Sequence, residues 1–298
     1  MLTPMPVYFV LPLAILYGLL IALLVPEYSF DYNALVGSAS FYREEGTGSI
    51  IGLIRNNLII VNIWDYYLEG ISADVSIQML YGFAAFVRFF VIFTLFDKRL
   101  TVPVFLSTIV MMDLNMCRFS LALSILLLIR NKLNIYVKAI ALFPLHIFSI
   151  AAIFLFEKLR YKVVIGIIAL LVTSIIPLYF TRHFHQNGAE FPGIALLYFV
   201  FSVILFGTFY KYLKMYSFNY AIFFLAPILL YIIDTPFNPQ YHHRFSDLAF
   251  QTILIHIIGY SGTNFKYSLF QILMLYFICS LAALYTFMII GGNIWRIV

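Results

Sequence analysis

Long apolar runs broken by short polar segments recur from Val7 to Ile290. The runs fall at 7–25, 75–96, 101–112, 117–129, 163–180, 193–210, 218–233, 245–261 and 268–290. A helix needs about 20 apolar residues to cross a bilayer's hydrocarbon, and several of these runs reach that length. The shorter ones suit helices packed within a bundle. Because the runs are continuous and do not alternate, they exclude a closed barrel of strands. The pattern predicts an all-α polytopic membrane protein with about nine transmembrane helices, forming a single integral domain over 1–298.

Residues 139–156, AIALFPLHIFSIAAIFLF, do not fit a simple crossing. Basic clusters flank them on both sides, RNKLNIYVK before and EKLRYK after. A re-entrant hairpin turning near Pro144–His146 keeps both clusters on one face, whereas a full span separates them. With the hairpin, all eight lysines fall on the cytoplasmic side. The other face then keeps only Arg43, Arg55, Arg118, Arg182, Arg244 and Arg296. Irregular backbone at membrane depth requires a protein or polar-cavity lining, so the hairpin predicts a cavity. The segment 26–74 becomes an outer loop rich in acids, in which IIGLIRNNLIIVNIW reads as an amphipathic helix lying in the interface. The first run lacks a basic leader and a small-residue cleavage site, so it reads as a retained span.

Composition agrees with this reading. Hydrophobic residues make up 63% of the chain and charged residues 10%, against about 25% charged in soluble domains. The net charge of +5 follows from basic cytoplasmic loops and does not call for nucleic acid. Cys117 and Cys279 lie inside apolar runs without C-x-x-C spacing, which suggests neither a disulfide framework nor a metal site.

The candidate chemistry lies with arginines. Arg118 and Arg244 open spans, and Arg182 follows one. A guanidinium stays charged in poor solvent and matches phosphate oxygens in bidentate fashion, and a helix N-terminus adds a positive dipole end. Together they would suit a diphosphate at the membrane surface; snorkelling to headgroups is the plainer alternative. Arg88, deep inside FAAFVRFFVIF, must face the bundle interior. It would pair with Asp97, Asp113 or a lipid phosphate, or join the diphosphate-binding set.

CRFSLALSILLLIRNK followed by IALFPLHIFSI resembles the central signature of EpsG/Wzy-type polysaccharide polymerases. The matching positions are Arg118, Leu121 and Ala122, then His146 and Ser149. Asp31 and Tyr32 in the first long loop, and Arg244 in YHHRFSDLAF, are similar to further family features. The resemblance implies a GT-C-like glycosyltransferase of the bacterial inner membrane with its active site facing the periplasm. Such an enzyme joins undecaprenyl-diphosphate-linked oligosaccharide repeats without metal or other cofactor. A flippase and a chain-length regulator are the partners it implies.

In that chemistry negative charge grows on a departing diphosphate, which Arg118, Arg244, Arg182 and Arg88 would stabilise. His146 or Asp31 would serve as general base for the acceptor hydroxyl, each with a plainer reading as a structural histidine or a solvated acid. Tyr32, His183 and His243 are candidates for sugar contacts. The pairs His183/His185 and His242/His243 lack a zinc-ligand pattern, and no D-x-D occurs. The rival readings are a transporter of lipid-linked saccharides, an O-antigen ligase and a membrane acyltransferase.

Overall fold

The computed structural model describes residues 4–29, 31–45, 58–96, 98–129, 132–146, 149–156, 192–234, 239–261 and 267–297. Among the described residues all regular structure is helical. The helices are α1 (Val7–Tyr28), α2 (Tyr32–Glu45), α3 (Ile59–Tyr67), α4 (Ala73–Leu95) and α5 (Lys98–Ile109). After a π-helical turn, Val110–Asn115, come α6 (Cys117–Ile129), α7 (Ile135–Leu142) and α8 (Ser149–Phe156). The remainder are α9 (Pro192–Thr208), α10 (Tyr210–Leu213), α11 (Ser217–Asp234), α12 (Pro239–Ser261) and α13 (Leu269–Ile297).

Among the described residues three helices are long and apolar enough to cross a membrane: Val7–Tyr28, Ala73–Leu95 and Leu269–Thr286. A fourth candidate is the pair Leu196–Thr208 and Tyr210–Leu225, bent by 86°. The expected spans 7–25, 75–96 and 268–290 coincide with the long helices, and 193–210 with 218–233 form the bent pair. The runs at 101–112 and 117–129 lie on shorter apolar helices, 245–261 lies within α12, and 163–180 lies outside the described residues. Among the described residues three or four helices therefore qualify as spans. The segment 139–156 is not one continuous helix. Helix α7 ends at Leu142, a turn covers 143–145, and α8 begins at Ser149.

The chain divides into two compact units. One comprises Met1–Ser149 with Cys279–Val298, the other Ile150–Ile278. In the first, α1 and α4 run antiparallel, and the Met5 N–H donates to the Phe93 carbonyl at 3.1 Å. Small residues let them touch backbone to backbone. A Cβ on Gly18 would lie 2.7 Å from the Gly82 carbonyl oxygen, and a Cβ on Gly82 2.8 Å from that of Gly18. This is how apolar helices associate where hydrophobic burial offers no driving force. Most of α4 is buried, whereas Leu16, Leu19 and Leu23 leave α1 with an exposed apolar face suited to lipid.

The segment 26–74 is largely helical. Ser72 caps α4 by accepting from the Val75 N–H at 3.3 Å. Arg43 of α2 forks onto Asp65 of α3, with Nε–Oδ2 2.8 Å and Nη2–Oδ1 2.6 Å, and donates to the Ile71 carbonyl at 2.5 Å. The Trp64 indole donates to the Ser76 carbonyl at 2.9 Å, fastening α3 to α4. The predicted amphipathic helix corresponds to α3, and residues 50–57 of it lie outside the described residues.

Gly82→Val should force α1 off α4, because the clashing atoms are backbone. We expect a loss of ~1–3 kcal/mol, the usual cost of overpacking, read as a lower thermal midpoint in detergent. Gly37 of α2 has open space around it, so Gly37→Ala should be neutral or stabilising by up to about 1 kcal/mol.

Candidate functional site

The site lies where α1 stops and α4 and α6 start. Tyr81, on the third turn of α4, shares a 3.1 Å hydrogen bond with Ser29, just past α1. The Asp31 carboxylate and the Arg118 guanidinium both lie within electrostatic reach of the Tyr81 hydroxyl and the Cys117 thiol. The fold thus brings together two residues 87 positions apart (118 − 31) that the sequence singles out. Arg118 is half-buried and Asp31 exposed.

Beside them, Tyr32 is 2% exposed. Its hydroxyl donates to Asp74 Oδ1 at 2.5 Å, and Gln78 Nε2 donates to the Tyr32 oxygen at 3.2 Å and to Asp74 Oδ2 at 3.1 Å. Burial first, then the bond to Asp74, push the phenol up to about 12. Buried edge-on against Tyr81, with ring centroids 6.3 Å apart, Tyr32 organises the floor and offers no open ring face to a sugar. Among the described tyrosines of the 26–74 segment, Tyr66 and Tyr67 are 67% and 80% exposed.

His146 is 7% exposed and packs edge-on against Phe119, with centroids 5.5 Å apart. Its N–H donates to the Leu142 carbonyl at 3.2 Å, closing the C-terminal turn of α7. The histidine therefore reaches the first turn of α6, which also carries Arg118, and reaches it from within the protein.

Arg88 sits seven residues beyond Tyr81, about 10 Å deeper along α4. It is 2% exposed and pairs with the fully buried Asp113 of the π turn. It also donates to Thr108 Oγ1 and, at 3.4 Å, to the Phe105 carbonyl, with its guanidinium 4.6 Å from the Phe105 ring centroid. Tyr17 of α1 donates to Asp113 Oδ2 at 2.5 Å, and Ser120 of α6 to Oδ1 at 3.2 Å. Of the partners the sequence allows for Arg88, the structure selects Asp113.

Arg182 and His183 lie outside the described residues. Arg244 and His243 fall in the first turns of α12, in the second unit, and their side chains are likewise outside the description. Only Arg118, Asp31, Tyr32, His146 and Arg88 can therefore be located, and the first three share one end of the first unit. Among the described residues no three His, Cys, Asp or Glu side chains converge on a point that would hold a metal.

Sequence reasoning missed Tyr17, Thr108 and Ser120, the neutral members of the buried network. It also passed over His256 of α12. The Tyr220 hydroxyl is hydrogen-bonded to His256 Nδ1 at 2.6 Å, Tyr216 stacks on the imidazole at 4.4 Å, and Phe156 meets it edge-on at 4.6 Å. One histidine within an apolar run was the available signal.

Comparison with family models, curated proteins and solved structures finds no match for the chain.

Outside the spans, burial pushes the Asp65 carboxyl up, but the Arg43 fork and its charge outweigh burial, and the net shift is downward. A lowered acid stabilises the fold above its unfolded value, and that contribution fades as pH falls through the folded value. The α2–α3 clamp should therefore loosen at pH below about 4, read as faster amide exchange at 65–71. Asp65→Asn should give the faster exchange already at neutral pH and flatten the acid dependence.

Proposed function

We propose that the chain is a polytopic membrane glycosyltransferase that extends a polyprenyl-diphosphate-linked glycan, as the resemblance to EpsG/Wzy-type polymerases implies. The observation that carries this reading is the meeting of Arg118 and Asp31 around Tyr81 and Cys117 at one end of the α1–α4–α6 bundle. Arg118 holds the diphosphate of the donor lipid, and Asp31 stands within reach of the incoming hydroxyl. In the reaction the acceptor oxygen forms a bond to the donor's anomeric carbon as the bond from that carbon to the diphosphate oxygen breaks. The electron pair leaves with the diphosphate, beside Arg118, and the hydroxyl proton passes to Asp31. Fixed cations aimed at developing charge lower such a barrier without reorganising. His146 supports the first turn of α6 through Phe119.

In the full architecture about nine spans and a re-entrant hairpin at 139–156 place this end at the periplasmic face of a bacterial inner membrane. The interruption of helix at 143–146 supports the hairpin. Undecaprenyl-diphosphate-linked repeats are the substrates, and a flippase supplies them.

One observation favours a second reading. Broken helices mark transporters of the kind that bind substrate at unwound backbone, and here α9 meets the following helix at 86°. A transporter would use the same arginine without bond making.

Surface glycan from cells carrying Arg118→Ala or Asp31→Asn separates the two. A polymerase variant yields single-repeat material in place of long ladders, with polymerisation down by about 100-fold or more for either residue. Arg118→Lys should recover only part of it, since an ammonium lacks the planar fork. Loss of all transferred repeats would identify a transporter. Polymer left on undecaprenyl diphosphate would identify a ligase. Normal ladders at normal protein level would remove Arg118 from the site.

A further inference from the structure

We propose that Asp113 is a positioning residue for Arg118, acting through the helix break between them; the inference rests on the diphosphate-binding reading of Arg118. Residues 98–129 carry enough apolar character to continue as one helix, yet they are interrupted. The π-helical turn Val110–Asn115 ends at Met116, whose φ of −125° and ψ of 43° leave helical geometry, and α6 begins anew at Cys117. Had the helix run on, Arg118 would lie in its middle, with the neighbouring backbone committed to the preceding turn. The break instead puts Arg118 on the first turn of a new helix, beside Tyr81 and Asp31. π turns inside helices recur at functional sites because they re-aim the residues that follow.

Something must hold the break open, since helix propagation would otherwise close it. Asp113 lies within the π turn and Ser120 on the far side of the break, and the Ser120 hydroxyl donates to Asp113 Oδ1 at 3.2 Å. On the other oxygen, Tyr17 and Arg88 converge from α1 and α4. One carboxylate thereby ties both sides of the interruption to the two helices that build the rest of the site. The charge of Arg88 makes that carboxylate stable in an apolar interior, and no neutral acceptor would match the guanidinium as well. Asp113 touches no ligand in this account. It sets where the Arg118 fork points.

Two measurements on the full-length protein in lipid nanodiscs test this. The first titrates undecaprenyl diphosphate against wild type, Ser120→Ala, Ser120→Thr and Ser124→Ala. Ser124 is buried one turn along α6 and donates to the Ser120 carbonyl at 2.8 Å, outside the Asp113 network. Ser120→Ala should weaken binding about tenfold, the loss of one hydrogen bond to a charged group. Ser120→Thr should restore binding, and Ser124→Ala should bind as wild type. The second needs no ligand: alkylation of the buried Cys117, followed by peptide mapping. Ser120→Ala and Tyr17→Phe should label faster than wild type and Ser124→Ala, by more than any fall in their thermal midpoints accounts for.

Wild-type affinity and wild-type labelling in Ser120→Ala would overturn the positioning role, as would equal losses in Ser120→Ala and Ser124→Ala. If wild type fails to bind the diphosphate lipid while Cys117 labelling still responds to Ser120 and Tyr17, the ligand reading of Arg118 falls and the control of its turn by Asp113 stands.

Discussion

A buried carboxylate and guanidinium, Asp113 and Arg88, hold the first unit together. Neither Arg88 nor Asp113 would be tolerated alone at that depth, because an isolated buried charge costs several kcal/mol even after relaxation. Paired, they remain costly unless their remaining valences are met. Tyr17, Thr108, Ser120 and the Phe105 carbonyl meet them. Tyr17 comes from α1, Thr108 and Phe105 from α5 and Ser120 from α6, so the pair and its partners join α1, α4, α5 and α6 with the π turn. The aromatic collar of Tyr17, Phe89, Phe93 and Phe105 closes around the pair, with centroid distances of 4.4–5.4 Å. Such a network contributes specificity more than stability: only one register of the four helices satisfies it.

From that anchor the rest of the site follows in steps. The α1–α4 crossing at Gly18 and Gly82 fixes the distance between Tyr17 and Arg88. Two turns along α4 towards its start, Tyr81 meets Ser29, Asp31 and the opening of α6. Closer still to the start of α4, Asp74 and Gln78 hold Tyr32, which sets the path of α2. Helix α2 in turn presents Arg43 to Asp65. The polar contacts therefore form a ladder along α4, from fully buried at Arg88 to solvent-exposed at Asp74, and the proposed chemistry occupies the rung where burial gives way to access.

Much of this was legible in the sequence, and the reason for each gap is physical. The three long helices were plain because their apolar runs match a bilayer's thickness. That Arg88 must have an internal partner followed from its depth, but choosing Asp113 over Asp97 or a phosphate required the π turn, which leaves no periodicity of its own. Tyr17 lies 96 positions from Asp113, and a tyrosine in an apolar run looks the same whether it faces lipid or a carboxylate. Asp31 and Arg118 were marked by residue type and by family resemblance, and their proximity came from the fold. Tyr32 looked like a loop residue open to sugar because the segment after α1 is polar. Its burial follows from α2 folding back on α4. His256 was passed over for the opposite reason, its neighbours in sequence being apolar while its polar partners sit on another helix.

The Arg43–Asp65 fork closes a ring of chain whose ends are 22 residues apart. Closing entropy grows only with the logarithm of length, so doubling that excursion would cost roughly 0.6 kcal/mol. The ion pair therefore insulates the bundle from whatever the intervening chain becomes. An epitope or a fluorescent module inserted at 46–57 would report on the protein's whereabouts while Trp64, Tyr32 and the rungs below kept their places.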